Sequence, residues 1–337
     1  MTRSSVRTTS AGTAPRRRTL LLAAAASLAA PRIAMAQDFP SRPMRIVVPF
    51  PAGGPVDIMA RIAAEGLTAR LGQRVVVENR SGAAGNIAAE FVARGAADGH
   101  TLLSAGQAIL AINPALYARL PYDPVADFAW IGMIGSSANV ILAHPDVAPV
   151  ANIVELVALA RARPGQVTYG SFGPGSLAHL TVEVLSLAAG VRFEHVPYRG
   201  AAPMMVDLLA GRIGFGMASP PTAVPAAREG KVRAIGVTTR TRMAVLPDVP
   251  TLVESGFPEL ELPGWHSLVA PAATPAPILA RLRAEFDAVL ASPSYVAAMD
   301  AIQTDVRRLS PAEADVLLGR ERRLWSEAVR ASGATAE

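Results

Sequence analysis

Short β-branched runs alternate with amphipathic helical stretches along most of this chain, and glycine-rich turns join them. Met44 to Phe50 (MRIVVPF) reads as a strand that stops at Pro49-Phe50-Pro51 and turns through Ala52-Gly53-Gly54. A helix follows from Val56 to about Leu71, because Met59, Ile62, Ala63, Leu67 and Leu71 recur at three- and four-residue spacing and make one apolar face. Gly72 is placed to end it. Val75-Val76-Val77 is a second strand, Asn86 to Arg94 a helix after the small-residue loop Gly82 to Gly85, and Thr101 to Ser104 a third strand. Strand–helix–strand order of this kind implies parallel pairing with right-handed crossovers.

The pattern then repeats. Asn113 to Pro124 reads as irregular, and Trp130 to Ile134 and Val140 to Ala143 as strands split by Gly135-Ser136-Ser137. Asn152 with Glu155 caps a helix through Arg161. Val167 to Tyr169 is a strand, followed by the loop Gly170 to Ser176 and a helix to about Ala189. Arg192 to Val196, Ile213 to Met217 and Ala234 to Thr238 are strands, with a helix at Pro203 to Ala210. The Pro-, Gly- and acid-rich stretch Leu246 to Gly264 reads as a connection back to a strand at Ser267 to Ala270. Three helices close the chain, one opening at Pro275 and Pro277, one over Pro293 to Ile302, and one behind the capping box Ser310-Pro311-Ala312-Glu313. The expected fold class is α/β with two lobes: lobe 1 over 37–139 and 250–337, and lobe 2, 140–249, inserted into it. The length of 337 residues suits two domains of roughly 100–200 each. Ligands of open α/β sheets sit beyond the carboxyl ends of the strands, so two facing lobes enclose a cleft there.

The first 36 residues read as a signal peptide. Arg16-Arg17-Arg18 is a basic region, Thr19 to Ala30 an uncharged apolar run, and Ala34-Met35-Ala36 a small-x-small cleavage site. The run is too short for a transmembrane helix, which takes about 20 residues. Arg17-Arg18 also permits a twin-arginine export reading. Six of the 32 basic residues and none of the 27 acidic ones lie in this leader, so the remainder carries 26 against 27, a net of −1. No basic field remains to attract nucleic acid or a membrane surface. The chain has no cysteine, so neither disulfides nor thiolate chemistry enter.

Two loops lead from a strand into a helix and have the composition of anion sites. In Phe50 to Asp57, Gly53 and Gly54 leave backbone N–H groups open to a ligand, with Phe50 and Ala52 beside them. A helix N-terminus offers free N–H donors and about half a positive charge, which suits a carboxylate; the loop reads equally well as a tight βα turn. Gly170 to Ser176 repeats the design, with hydroxyls at Ser171 and Ser176 and glycines at Gly173 and Gly175, and Gly82 to Asn86 is a weaker third copy that brings in Gly85 and Asn86. Each helix end is worth about 0.3–1 kcal/mol, whereas micromolar affinity needs about 8 kcal/mol, so hydrogen bonds and burial must supply the rest. Asp57 either caps the helix or meets a ligand donor, with the structural role favoured. Tyr198 and Arg199 end a strand, where Arg199 either pairs with a carboxylate or stays a solvated rim charge. Phe172 and Trp265 stack on a ligand only if they line the cleft. The five histidines are scattered; His179 and Glu183 have metal-ligand spacing, but no metal, cofactor or catalytic cluster is expected.

Ordered motifs extend over nearly all of the chain beyond the leader: Pro40-Ser41-Arg42-Pro43, Val48 to Asp57 (VPFPAGGPVD), Leu71-Gly72-Gln73 through Val77-Glu78-Asn79-Arg80, Ala97-Asp98-Gly99-His100-Thr101, Ile112 to Tyr117 (INPALY), Leu120 to Pro124 (LPYDP), Tyr169-Gly170-Ser171, His195 to Gly200 (HVPYRG) and Leu246 to Thr251 (LPDVPT). Together they resemble the tripartite tricarboxylate transporter receptors, the Bug-type binding proteins. The resemblance implies a type II periplasmic-binding-protein fold and hinge closure over a small carboxylate. It also implies delivery of that ligand to a two-component integral-membrane permease, and favours the ligand-binding reading of the glycine loops. No enzyme activity, cofactor or nucleic-acid partner is expected, and the protein is expected to be a periplasmic monomer. In one place the chain departs from the family, whose members commonly carry an Asp–Leu–Met–Phe–Asp-like strand in the second lobe. Here the stretch is Gly214 to Pro220, with Gly214 and Ala218 at the acidic positions, leading to Ser219 as a further candidate ligand contact. That substitution points to a ligand with no amine there and a more apolar body. A ligand sensor for a membrane signalling protein and a secreted α/β enzyme stay open as alternatives.

Overall fold

In the computed structural model the described residues are Met1 and Phe39–Ala336, so the expected leader and its cleavage site lie outside them, Met1 aside. The chain forms the two α/β lobes expected from its strand–helix alternation. The first sheet contains β1 (Met44–Val48), β2 (Val75–Asn79), β3 (Thr101–Gly106), β4 (Phe128–Ser137) and β10 (Gly264–Pro271), in the order β2-β1-β3-β10-β4. β1 pairs in parallel with β2 and β3, whereas β10, returning from the second lobe, runs antiparallel between β3 and β4. The second sheet has β5 (Val140–Ala143), β6 (Thr168–Ser171), β7 (Glu194–Pro197), β8 (Phe215–Ala218) and β9 (Arg233–Val237) in the order β7-β6-β8-β5-β9.

Two-residue periodicity explains why both faces of each sheet are covered. In β1, Met44, Ile46 and Val48 face one core while Val47 faces the other. The first core lies under α1 (Pro55–Leu71), α8 (Ala276–Leu290) and α9 (Pro293–Ala301); the second lies under α2 (Asn86–Ala93) and the start of α10 (Pro311–Ser332). β5 does the same in the second lobe, with Ile141 and Ala143 on one side and Val140 and Leu142 on the other. The helices here are α4 (Ile153–Ala162), α5 (Leu177–Ala189), α6 (Ala201–Leu209) and α7 (Pro220–Arg228). Strands that are apolar on both faces need helices on both, which is why the runs read as continuous rather than alternating.

The expected end signals hold. Gly72 closes α1 in the left-handed region at φ 66°, and its N–H bonds the Thr68 carbonyl. Asn152 accepts from the Glu155 N–H at 3.0 Å, and Ser310 with Glu313 forms a complete capping box. Two readings are corrected. The chain does not break at Gly135-Ser136-Ser137; β4 runs to Ser137, because Ser136 exchanges backbone hydrogen bonds with Asp305 at 2.9 and 2.7 Å. Asn113–Leu116 is a short helix, α3, that continues a π-helical turn over Ala108–Ile112. A further helix, Pro220–Arg228, forms despite its three prolines, because Pro220 and Pro221 fill first-turn positions whose N–H groups are free in any helix, leaving Pro225 as its interior proline.

The chain passes between the sheets at Ala138-Asn139 and again between Thr238 and Pro263. The two crossings are tied to each other: Asn139 N–H donates to Thr238 Oγ1 at 2.9 Å and Thr238 N–H to the Asn139 carbonyl at 3.1 Å. Leu252, Leu260 and Leu262 in the return crossing pack in the second lobe's core. α10 is a third link, with Ala314 and Leu318 in a first-lobe core and Trp325, Ala328 and Val329 in a second-lobe core. Among the described residues no helix is long and apolar enough to cross a membrane.

Candidate functional site

A cavity of about 430 Å³ lies between the carboxyl ends of β1 and β6, where an open α/β sheet places its ligand. Phe50, just past β1, and Leu116 and Tyr117, at the end of α3, form its first-lobe wall. Phe172, Pro174, Gly175, Ser176 and Leu177, between β6 and α5, form the second-lobe wall. Trp265 and His266 at the start of β10 close the base. A larger groove of about 750 Å³ runs along α5, β7 and the last described turn of the chain, but it lies away from the strand ends that face each other.

The second-lobe loop is held from behind by an imidazole stack. Gly175 N–H donates to His179 Nδ1 at 3.0 Å, and Ser171 Oγ lies 2.7 Å from His195 Nε2. The two rings stack at 4.0 Å and 10°, with Tyr169 stacked on His195 at 4.9 Å. Burial pulls both imidazoles down to about 4, so they are neutral at pH 7. Ser176 caps α5 by accepting the His179 N–H, and its Oγ donates to the Gly173 carbonyl at 2.7 Å. His179 Nε2 is 3.9 Å from Glu183 Oε1, and no group of three His, Asp or Glu among the described residues is arranged to hold a metal ion.

Of the residues singled out from sequence, Phe50, Gly175 and Ser176 line this cavity, together with Phe172 and Trp265. Ser171 and Gly173 stand directly behind it as supports. Gly53 and Gly54 do not face it with free donors: Gly53 N–H goes to the Asp57 carboxylate at 2.9 Å and Gly54 N–H to the Pro51 carbonyl at 3.4 Å. Ala52, at the turn's tip, is exposed. Asp57 is only 2% exposed and takes hydrogen bonds from Gly53, Arg61 and Asn79. Burial works against its charge, but those bonds outweigh it and hold the carboxyl at about 2. Asp57 thus fastens the loop. Gly85 N–H bonds the Gly82 carbonyl, and the Asn86 side chain accepts from Asn113 and Tyr122. Tyr198 donates to Asp207 at 2.8 Å, Arg199 is exposed, and Ser219 precedes α7; none of the three lines the cavity. Gly214 sits at the amino end of β8, against Thr168, so an acid there is remote from the cleft. Ala218 is at the cleft end but is buried against Val140 and Met204.

Gln107, Leu116, Tyr117 and His266 were not foreseen. Of these, His266 carries a local signal, a polar side chain interrupting an apolar strand and packed edge-on against Phe50 at 6.0 Å.

Residues 59–329 match the profile of the Tripartite tricarboxylate transporter family receptor. The chain is 35% identical to Protein BugT of Bordetella pertussis over 312 residues, covering 92% of this chain and 95% of that one. A protein of R. palustris solved with adipate superposes with a TM-score of 0.75 at 34% identity, over 88% of this chain and 99% of the other. MatC from Rhodopseudomonas palustris with bound malate gives 0.71 at 31% identity, over 86% and 100%.

Proposed function

The chain belongs to the tripartite tricarboxylate transporter receptor family, and on that footing we propose that it is a periplasmic receptor that captures a small carboxylate between its lobes and delivers it to a two-component membrane permease. The observation that carries this reading is the cavity between the carboxyl ends of β1 and β6, with the N-terminus of α5 opening into it at Ser176-Leu177. Leu177 is the first residue of α5, so its N–H has no acceptor within the helix. A carboxylate placed there takes that donor and the positive end of the helix. Ala138-Asn139 and Thr238–Pro263 serve as the hinge, the protein acts as a monomer, and residues 1–36 are the export signal. No step in this cycle breaks a covalent bond, so the reading is of a receptor and not an enzyme.

The test is a thermal-shift screen on protein unfolded and refolded to remove any co-purified ligand. A ligand at 100 times its dissociation constant adds about 2.7 kcal/mol, a rise of several degrees. Stabilisation by carboxylates and not by sugars is the expected result; stabilisation by sugars alone would remove the anion site. The same screen checks the second-lobe loop. Gly175 lies in the left-handed region at φ +72°, and a Cβ there would clash with the Leu116 side chain, which touches this loop from the first lobe. Gly175→Val is therefore expected to force the walls apart and to weaken binding of the stabilising acid at least tenfold, roughly 1.4 kcal/mol or more.

A further inference from the structure

The cavity and the larger groove along α5 and β7 are neighbours, with a thin wall between them. Pro174 lines both spaces. Thr335 lines the groove, whereas Ala336, the next residue, lines the cavity. The stretch 333–336, which follows α10, is therefore a partition one chain thick, and the Pro174 loop completes it on the second-lobe side.

The course of this stretch ties the two lobes together. α10 ends in the second-lobe core with Ala328 and Val329, and Gly333, at φ 64°, turns the chain in the left-handed region that glycine adopts without strain. Ala334 is buried in the same core, and its N–H donates to Ser332 Oγ at 3.2 Å. Two residues on, the Ala336 N–H donates to the Leu116 carbonyl at 3.1 Å, and Ala336 pairs in parallel with Tyr117. Leu116 and Tyr117 stand on the first-lobe wall of the cavity. The stretch is thus a strap from the core of one lobe to the wall of the other.

The strap is held lightly at its far end. A backbone hydrogen bond to Leu116 exchanges for one to water at little net cost, and the side chains of Ala334, Thr335 and Ala336 are small. Lifting Ala336 from Leu116 disturbs neither core. Behind it lies the groove, about 750 Å³ against about 430 Å³ for the cavity. Leu187, Val191 and Phe193 give that groove apolar wall, and Arg192 gives it an exposed cation. It has room and chemistry for the far part of an acid that outgrows the cavity.

We propose that the strap at 333–336 sets the length of acid the protein accepts. Seated on Leu116, it ends the cavity; released, it joins the cavity to the groove, so that longer acids bind and a short acid leaves faster. This rests on the carboxylate-receptor reading above.

Isothermal titration of the stripped protein with two straight-chain series, butanoate to decanoate and succinate to sebacate, tests it. Ala336→Pro removes the N–H that Leu116 accepts, and Ala336→Ser keeps it. The proline variant is expected to shift the best-bound length in either series to a longer acid. Its affinity for decanoate or sebacate, relative to the acid the parent binds best, should rise at least about tenfold. The serine variant should follow the parent, and a chain ending at Gly333 should follow the proline variant. Trp265, on the cavity wall, reports dissociation by its fluorescence, and the parent's best acid should leave the proline variant faster. The ligand-free unfolding midpoint of the proline variant should stay within a few degrees of the parent's, which separates reach from stability. Identical length profiles in parent and proline variant, a variant that weakens every acid alike, or a parent that already binds the longest acids best would each overturn the strap's role and leave the receptor reading standing. If the folded parent binds neither series, this inference falls, and the thermal-shift screen decides the receptor reading separately.

Discussion

Acidification from pH 6.5 to pH 4 is expected to cost the folded chain several kcal/mol, through His179, His195 and His266. In the unfolded chain each imidazole binds a proton near 6.5; in the fold each stays neutral down to about 4, because burial disfavours the cation. Between those values the unfolded state holds more protons, so every step down in pH favours unfolding. A displacement of that size is worth roughly 3 kcal/mol for one group, and less for the second member of the His179–His195 stack once they titrate together. Glu183 and Glu194 face His195 and partly oppose the loss. Glu321 opposes it too: burial raises its carboxyl, so over part of this range the folded state holds the extra proton there. Thermal midpoints measured at intervals from pH 7 to pH 4 should fall steeply, and His179→Gln should flatten the curve, since an amide oxygen can accept the Gly175 N–H without titrating. A variant curve parallel to the parent's would remove the stack from the explanation. Because the stack holds the ligand loop, the same range should show ligand release before global unfolding.

Much of the fold could be read from residue pattern, because strands such as VILA fill both faces of a sheet and say so by their unbroken apolar character, and MRIVV does the same past Arg45. Helix ends were readable where one side chain does the capping, as at Asn152 and Ser310. Long-range pairing was not readable. β4 continues through Gly135-Ser136-Ser137 because β10 pairs with it on one side and Asp305, far along the chain, completes its hydrogen bonds on the other. The site divides in the same way. Glycine loops marked the strand ends that face each other across the cavity, yet whether a glycine N–H is free depends on what else the fold brings to it. Asp57, four residues on, takes Gly53's. The second-lobe glycine Gly175 likewise spends its own N–H on His179, and it is the helix start at Leu177 that remains open. His179 and His195 looked scattered because β6, α5 and β7 must be assembled before their rings meet.

Glu321→Ala is expected to lower stability by about 3–5 kcal/mol. Glu321 is 3% exposed, midway along the helix that joins the two lobes. One carboxylate oxygen accepts from Trp265 Nε1 at 2.9 Å and the other from Trp325 Nε1 at 3.2 Å. Trp265 belongs to the strand that returns into the first lobe and floors the cavity; Trp325 is fully buried in the second lobe's core. Gln107 extends the chain of bonds to the Pro263 carbonyl in the crossing itself. Alanine would strand two buried indole donors at about 1–3 kcal/mol each and leave a void where the carboxylate stood. A fall of roughly 6–10 °C in the unfolding midpoint corresponds to that loss in a chain of this size. Glu321→Gln separates the hydrogen bonds from the charge. Its single oxygen can serve only one indole, which costs stability, but it removes the burial of a carboxylate whose protonation is favoured in the fold. The glutamine variant should therefore fall between the parent and alanine at pH 7, and close the gap to the parent as the pH rises, because the parent's Glu321 must ionise in the fold and loses stability over that range. Alanine costing less than about 1 kcal/mol would show that apolar packing alone holds α10 across the lobes, and that the two indoles find water instead.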